Sequence, residues 1–189
     1  MENLNFKKYF VTYEKKISEI DSVVFELKNL KSIIVSTDTV SGLLSLQKQK
    51  IYEIKKRDKS KKIITFISNV NQIPNASKEL VEIANNFWPG ALTIIFNKNS
   101  YRIPKDEFIL ELIKAIGPIY SSSANLSGQK PVEDILDAFK YFKKVKNDII
   151  FIEGDYYINK FPSTILDLDN KKILREGVIK YEQLRKYIE

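Results

Sequence analysis

Neither cysteine nor histidine occurs among the 189 residues. Without cysteine there can be no disulfide framework, no thiol nucleophile and no Cys/His zinc site. Without histidine there can be no Ser-His-Asp triad and no imidazole acid–base step. Any chemistry must therefore run on Lys, Arg, Ser, Thr, Asn and carboxylates, a set suited to positioning and neutralising an anionic reaction. Glycine and proline are scarce, at six each. Neither G-x-G-x-x-G nor G-x-x-x-x-G-K-S/T can be found, so a nucleotide site has to be built some other way. No apolar run approaches the roughly 20 residues of a membrane span. The opening Met1-Glu-Asn-Leu-Asn-Phe-Lys-Lys8 lacks the apolar stretch of a signal peptide. The simplest reading is a cytoplasmic protein without membrane association. No repeat, low-complexity tract or Pro/Gly linker marks a boundary, so one domain over residues 1–189 is expected, and 43% hydrophobic content suffices for its core.

What is abundant is positive charge. A net charge of +7 and a pI near 9.3 suit polyanionic partners such as nucleotides or RNA. The chain is also rich in Lys, Ile, Asn and Tyr and poor in Gly, Ala and Pro, a bias that compositional drift produces without any binding role. Charge alone decides nothing.

The pattern of apolar residues alternates strands with helices. Phe6 to Tyr13 reads as a short edge strand. Ile17 to Leu30 has helical spacing and feeds a strand at Ile33 to Val35. A second helix is expected over Leu43 to Ile54, then a strand from Ile63 to Ile67. Ser77 caps a helix carrying Leu80, Ile83, Ala84 and Phe87, stopped by Pro89-Gly90. Leu92 to Phe96 is a strand, and Phe108, Ile109, Leu112, Ile113 and Ile116 line a helix ending at Gly117. Ile119 to Ser121 is a strand, and Ile135, Phe139, Phe142 and Val145 line a further helix. Ile149 to Ile152, Thr164 to Leu168 and Lys172 to Leu174 are strands, and Tyr181 to Ile188 is a terminal helix. The class is α/β, or a mixed three-layer fold.

Three stretches can carry chemistry. In Ile33-Ile-Val-Ser-Thr-Asp-Thr-Val-Ser-Gly-Leu-Leu44 a buried strand ends in hydroxyls and a carboxylate, where ligands sit in open α/β sheets. The same residues also suit an ordinary strand-to-helix turn with helix-capping Ser and Thr. Lys55 and Arg57 form either a solvated basic helix end or a phosphate clamp. Ser121-Ser-Ser-Ala-Asn-Leu-Ser-Gly128 follows a strand and offers several donors to one anion, or makes a simple Asn/Gly turn.

Together the pieces resemble a known family. Ser36-Thr-Asp-Thr-Val-Ser-Gly-Leu43 is similar to P-T-D/E-T-x-Y-G-L, and Ile51-Tyr-Glu-Ile-Lys-Lys-Arg57 to I-Y-x-x-K-x-R. Phe87-Trp-Pro-Gly-Ala-Leu-Thr93 is similar to F-W-P-G-x-L-T, and Ser122-Ser-Ala-Asn-Leu-Ser-Gly128 to P-S-A-N-x-S-G. Pro162-Ser-Thr-Ile-Leu-Asp167 resembles E-S-T-V-x-D, and Ile173-Leu-Arg-Glu-Gly177 resembles I-L-R-P-G. Six such stretches in order, from about residue 17 to the C-terminus, are those of the YrdC-type threonylcarbamoyl-AMP synthases in their short single-domain form.

The resemblance implies a twisted open mixed sheet flanked by helices, with a basic concave face. It implies a reaction joining L-threonine, bicarbonate (or CO2) and ATP into threonylcarbamoyl-AMP and pyrophosphate. The product feeds N6-threonylcarbamoyladenosine formation in tRNA, through other tRNA-modification proteins. By the resemblance Lys55, Arg57, Ser123 and Asn125 form the polar cluster over phosphates and carbamate. Thr37, Arg102 and Ser163 hold threonine, with Arg102 on its carboxylate, and Arg175 reaches the nucleotide. Mg2+ enters with the triphosphate of ATP, and no dedicated carboxylate cage holds it. The chain departs from the pattern at Ser36 (Pro in the family), Ser41 (Tyr), Pro162 (Glu), Glu176 (Pro) and Phe66 (often His), and the segment between Phe96 and Arg102 is short. A non-catalytic RNA-binding module of the same fold is the alternative. A carbamoyl-adenylate transferase domain acting on another acceptor is a third reading, typical of longer, Cys-rich chains.

Overall fold

The computed structural model describes residues 12–130, 132, 134–142, 148–154 and 161–189. Among these residues ten strands run β1 (Thr12–Glu14), β2 (Ser32–Val35), β3 (Gly42–Ser45), β4 (Ile64–Phe66), β5 (Leu92–Phe96), β6 (Asn99–Arg102), β7 (Ile119–Ser123), β8 (Ile149–Glu153), β9 (Thr164–Asp167) and β10 (Lys172–Arg175). They form one sheet in the order β1-β8-β2-β3-β7-β4-β6-β5-β9-β10. Pairing is mixed: β2 is parallel to β8 but antiparallel to β3, and β5 is parallel to β9 but antiparallel to β6. Among the described residues six α-helices accompany it: α1 (Ile20–Lys28), α2 (Lys48–Lys55), α3 (Lys78–Phe87), α4 (Glu107–Ile116), α5 (Ile135–Phe142) and α6 (Tyr181–Leu184).

Strand periodicity decides what lies on each face. In β2, Ile33 and Val35 point to one side, joining Val23 and Leu27 of α1 and Phe108, Ile109, Leu112 and Ile113 of α4. Ile34 points to the other, toward Ile51 and Ile54 of α2 and Ala138 and Phe142 of α5. The β1–β8–β2–β3 half is therefore covered on both faces. In the other half, Leu92 and Ile94 of β5 and Leu166 of β9 pack under Leu80, Ile83 and Ala84 of α3 and under Leu184 and Tyr187 near the C-terminus. On the opposite face of that half, register aligns Leu44, Ser121, Ile64, Ser100 and Ile95 in a row across five strands. α1 and α4 cover the Leu44 end of this face, and a cavity occupies the remainder.

Three elements differ from the sequence reading. Residues 43–45, expected to begin a helix, belong to β3, because a strand there pairs with both β2 and β7 and is buried along its length. Tertiary pairing overrides local preference. Ile33 to Leu44 is thus a hairpin (Ile33 opposite Leu44, Val35 opposite Gly42) and not a strand-to-helix turn. Strand β6, Asn99-Ser-Tyr-Arg102, was not anticipated: its alternate residues Ser100 and Arg102 face the cavity, so no apolar alternation marks it. The terminal segment expected as one helix over Tyr181 to Ile188 is α6 followed by a 3-10 turn at Arg185–Tyr187. Residues 6–11 of the expected edge strand and Val145 lie outside the described residues. No described helix is long and apolar enough to cross a membrane.

Candidate functional site

The open face of the sheet makes the floor of a cavity of about 670 Å³, a size typical of small-molecule sites. Space exists there because the strands present Thr93, Ser100 and Ser121 where the covered half presents isoleucine and leucine. Seven of the residues singled out in the sequence line it: Thr37, Arg57, Arg102, Ser123, Asn125, Ser163 and Arg175. They come from the β2–β3 loop, the segment after α2, β6, the end of β7 and the loop after it, and the β9–β10 region. Lys61 and Lys62, at the end of the basic run, join them.

Lys55, the eighth, stands behind the wall. It is fully buried at the last residue of α2. Its ammonium donates to the Ser123 carbonyl, to the Asn125 carbonyl at 2.5 Å and to Asn125 Oδ1 at 3.0 Å. The Asn125 amide is saturated in turn. Oδ1 also accepts from Ser123 Oγ at 2.5 Å, and Nδ2 donates to the Leu126 and Gln129 carbonyls at 2.9 and 2.7 Å. This pins the Ser123–Gln129 loop as a rigid rim. Burial, and then the charge of Arg57, pulls the Lys55 amine down to about 7; the three oxygens around it act in the other direction, holding the proton.

Arg57 follows Lys56, whose left-handed backbone (φ 49°) ends α2 and turns the chain. Its Nη2 donates to the Lys62 carbonyl at 3.1 Å, while its buried Nε has no hydrogen-bond partner. A buried donor without an acceptor is uncommon and costly. Arg175 holds the Ser163 carbonyl through Nε (3.1 Å) and Nη2 (2.8 Å). Ser163 Oγ meets Thr93 Oγ1 at 2.9 Å. Gly177 lets this corner close, since a Cβ there would lie 2.0 Å from the Pro162 carbonyl oxygen.

Arg102 is the most enclosed of the cations that line the cavity. Its Nη2 donates to Asp38 Oδ1 (2.6 Å), Nη1 to Thr39 Oγ1 (2.8 Å) and Nε to the Gly90 carbonyl (2.8 Å). The sequence reading gave it to a substrate carboxylate. The structure gives three of its five N–H groups to the protein and ties it to the hydroxyl loop at Thr39. Thr37 Oγ1 donates to the Val40 carbonyl at 2.7 Å and accepts from the Thr39 N–H at 3.1 Å, a local Thr turn. Asp38 and Thr39 were within the stretch the sequence marked, but the pairing of Asp38 with a residue 64 positions away has no local signal.

The electrostatics follow from this layout. Arg57, Lys61, Lys62, Arg102 and Arg175 line the cavity, and among the described residues no carboxylate does. Arg175 is pulled below the usual arginine range by desolvation, then by the charges of Arg102 and Arg57, and burial pulls Arg57 the same way. Such mutual repulsion is relieved by an anion between them. Hydroxyls, amides and guanidinium groups do not make a divalent-cation cage, and no described cluster of three or more acidic or metal-binding side chains exists.

Comparison with known proteins bears on the family. The chain is 32% identical over 196 residues to the Mycoplasma genitalium "Uncharacterized protein MG259", covering 97% of this chain and 42% of that protein. It spans less than half the length of that relative and of its Mycoplasma pneumoniae counterpart. It is 30% identical over 206 residues to a Methanocaldococcus jannaschii protein named "Putative threonylcarbamoyl-AMP synthase", covering 97% of this chain and 98% of that one. Among solved structures, Pyrococcus abyssi Sua5 complexed with L-threonine superposes with a TM-score of 0.82 at 25% identity, over 95% of this chain and 60% of that one. Escherichia coli YciO shares the fold, with a TM-score of 0.78 at 19% identity over 92% and 97%. The family model Sua5_yciO_yrdC, described as "Telomere recombination", matches residues 26–177, and with that match over most of its length the chain belongs to the Sua5/YciO/YrdC family.

Proposed function

We propose that this chain is an L-threonylcarbamoyl-AMP synthase, acting in the cytoplasm on the way to N6-threonylcarbamoyladenosine in tRNA. The observation that carries the reading is the convergence of five cations on one cavity whose described lining has no carboxylate. Such a site takes a polyanion and neutralises charge as it develops. The family relatives named for this activity support the choice of reaction.

In this reading the threonine amine nitrogen bonds to the bicarbonate carbon while the C–OH bond breaks and the hydroxyl leaves with an amine proton as water, giving N-carboxy-threonine without an enzymatic nucleophile. Its carboxylate oxygen attacks the α-phosphorus of ATP. The new bond is that P–O bond, the broken one joins the α-phosphorus to its bridging oxygen, and pyrophosphate leaves. The protein contributes orientation and charge. Arg57 offers its guanidinium to phosphate oxygens from the cavity wall, with Lys61 and Lys62 beside it. Arg175 adds charge on the nucleotide side. Ser123 presents its hydroxyl from a rim that Lys55 and Asn125 hold rigid. Thr37, Ser163 and the remaining N–H groups of Arg102 face threonine. Because the lining is poor in cation ligands, magnesium enters as the counter-ion of the triphosphate, and no resident metal is assigned.

The test is pyrophosphate release by pure protein given ATP, bicarbonate and L-threonine. Release that needs all three supports the reading. Release indifferent to threonine overturns it, and so does tRNA binding of steep salt dependence in a protein that does not bind ATP.

A further inference from the structure

The hydroxyl loop between β2 and β3 is held at its far end by the Arg102–Asp38 pair. At its near end it is held by a second ion pair that no sequence motif marks. Lys15, the residue after β1, reaches across 21 positions and donates to the Ser36 carbonyl at 3.0 Å and to Ser36 Oγ at 3.1 Å. The same ammonium pairs with Asp106 Oδ2, while Asp106 Oδ1 caps α4 by accepting the Ile109 N–H at 3.1 Å. Both side chains are largely buried, at 18% and 9% exposure. The arrangement is enforced from behind. The Lys15 N–H is fixed on the Glu153 carbonyl, and a Cβ at Gly154 would lie 2.8 Å from Lys15 Cβ and 3.2 Å from its Cδ. Gly154 leaves the room through which the lysine stem passes.

We propose that Lys15, with Asp106 and Gly154, is a positioning device for the threonine-binding loop. The proposal rests on the reading of Thr37 as part of the threonine subsite. A peptide group is planar, so fixing the Ser36 carbonyl also fixes the direction of the Thr37 N–H. The Thr37 Cα is the next atom out, and its side chain lines the cavity. Lys15 touches neither nucleotide nor reacting atoms. It acts only through the loop, so its loss displaces one subsite and spares the other. A misplacement of roughly 1 Å weakens a site substantially even when no contact residue changes.

The test is calorimetry and steady-state kinetics on three variants. Lys15→Met raises the Kd and KM for threonine about tenfold, leaving the Kd for ATP within twofold and kcat at saturating threonine near wild type. Because this change strands Asp106, Lys15→Met/Asp106→Asn removes both charges while keeping a capping oxygen at 106. Thermal stability then recovers and the threonine defect remains. Gly154→Ala, which displaces the lysine stem without deleting it, reproduces the threonine defect. Threonine affinity within twofold of wild type in folded Lys15→Met overturns the proposal, and so does a double variant that regains threonine affinity together with stability. A wild-type protein that binds neither ATP nor threonine would instead remove the synthase reading itself.

Discussion

Arg102 and Arg57 line the same cavity and are embedded in opposite ways. Arg102 directs its guanidinium to Asp38, Thr39 and the Gly90 carbonyl, and its charge is matched by a carboxylate at 2.6 Å. Arg57 gives one bond to the Lys62 carbonyl and keeps a buried Nε–H without an acceptor. The difference separates two meanings of a cation in a pocket. Around Arg102 the positive charge organises protein, tying β6 to the hydroxyl loop. Around Arg57, Lys61 and Lys62 the protein supplies few acceptors for the charge it has assembled, which is what a site for an anionic ligand requires.

The sharpest way to break this contrast is to delete Arg102. Arg102→Ala leaves Asp38 largely buried without its counter-charge, and losing one member of such a pair costs about 3–5 kcal/mol. Chemical denaturation should show that loss, and threonine and ATP binding should fall together with it. A variant as stable as wild type that lost only threonine binding would move Arg102 to the ligand side of the comparison.

Lys55 gives the next effect, through pH. Its folded pKa lies near 7 and the ordinary lysine value near 10.5. Between those values the unfolded chain holds a proton that the folded chain has released, so folding stability rises with pH across that window. The limiting slope for one proton is about 1.4 kcal/mol per pH unit. With no histidine or cysteine in the chain, little else titrates between pH 7 and 9, which makes urea melts at those two values a clean measurement. Lys55→Met should flatten the dependence. ATP affinity should run in the opposite direction and fall as the ammonium that pins Ser123 and Asn125 is lost.

The core-packed elements of the fold were legible because their signals are local. Ile33 to Val35, the Ser77 cap and the apolar stripe of α4 each follow from spacing within a dozen residues, and each stands as expected. The open half was harder to read for the reason that makes it a site. Strand β6 carries Ser100 and Arg102 where a core strand carries isoleucine, so it looks like a loop, and β3 takes its conformation from partners on both sides. The candidate residues were found as types and positions, but their division of labour was not. That Lys55 faces the back of the wall, and that Asp38 and Lys15 hold the loop from its two ends, depends on contacts between residues 21 to 70 positions apart.

On the ligand side, Arg57→Ala should change stability little and weaken ATP and pyrophosphate binding. A charge-assisted hydrogen bond contributes about 1.5–3 kcal/mol, corresponding to roughly ten- to a hundredfold in Kd by calorimetry. Ser163→Ala, which removes the partner of the Thr93 hydroxyl at 2.9 Å, should cost about 1 kcal/mol of stability in denaturant melts.

The smallest effect belongs to the two exposed lysines. Lys61 and Lys62 reach the cavity from a basic segment open to solvent, where an ion pair is worth about 0.2–1 kcal/mol and is screened by salt. Lys61→Gln/Lys62→Gln should therefore weaken ATP binding a few-fold at low ionic strength. In roughly 0.5 M salt the difference from wild type should nearly vanish, because the screening length has by then shrunk well below the ~10 Å it has at 0.1 M. Arg57→Ala should keep most of its defect in the same titration, since its donor sits on a buried wall. If all three losses faded alike with salt, Arg57 would belong with the solvated rim, and the contrast with Arg102 would reduce to one between exposed and buried charge.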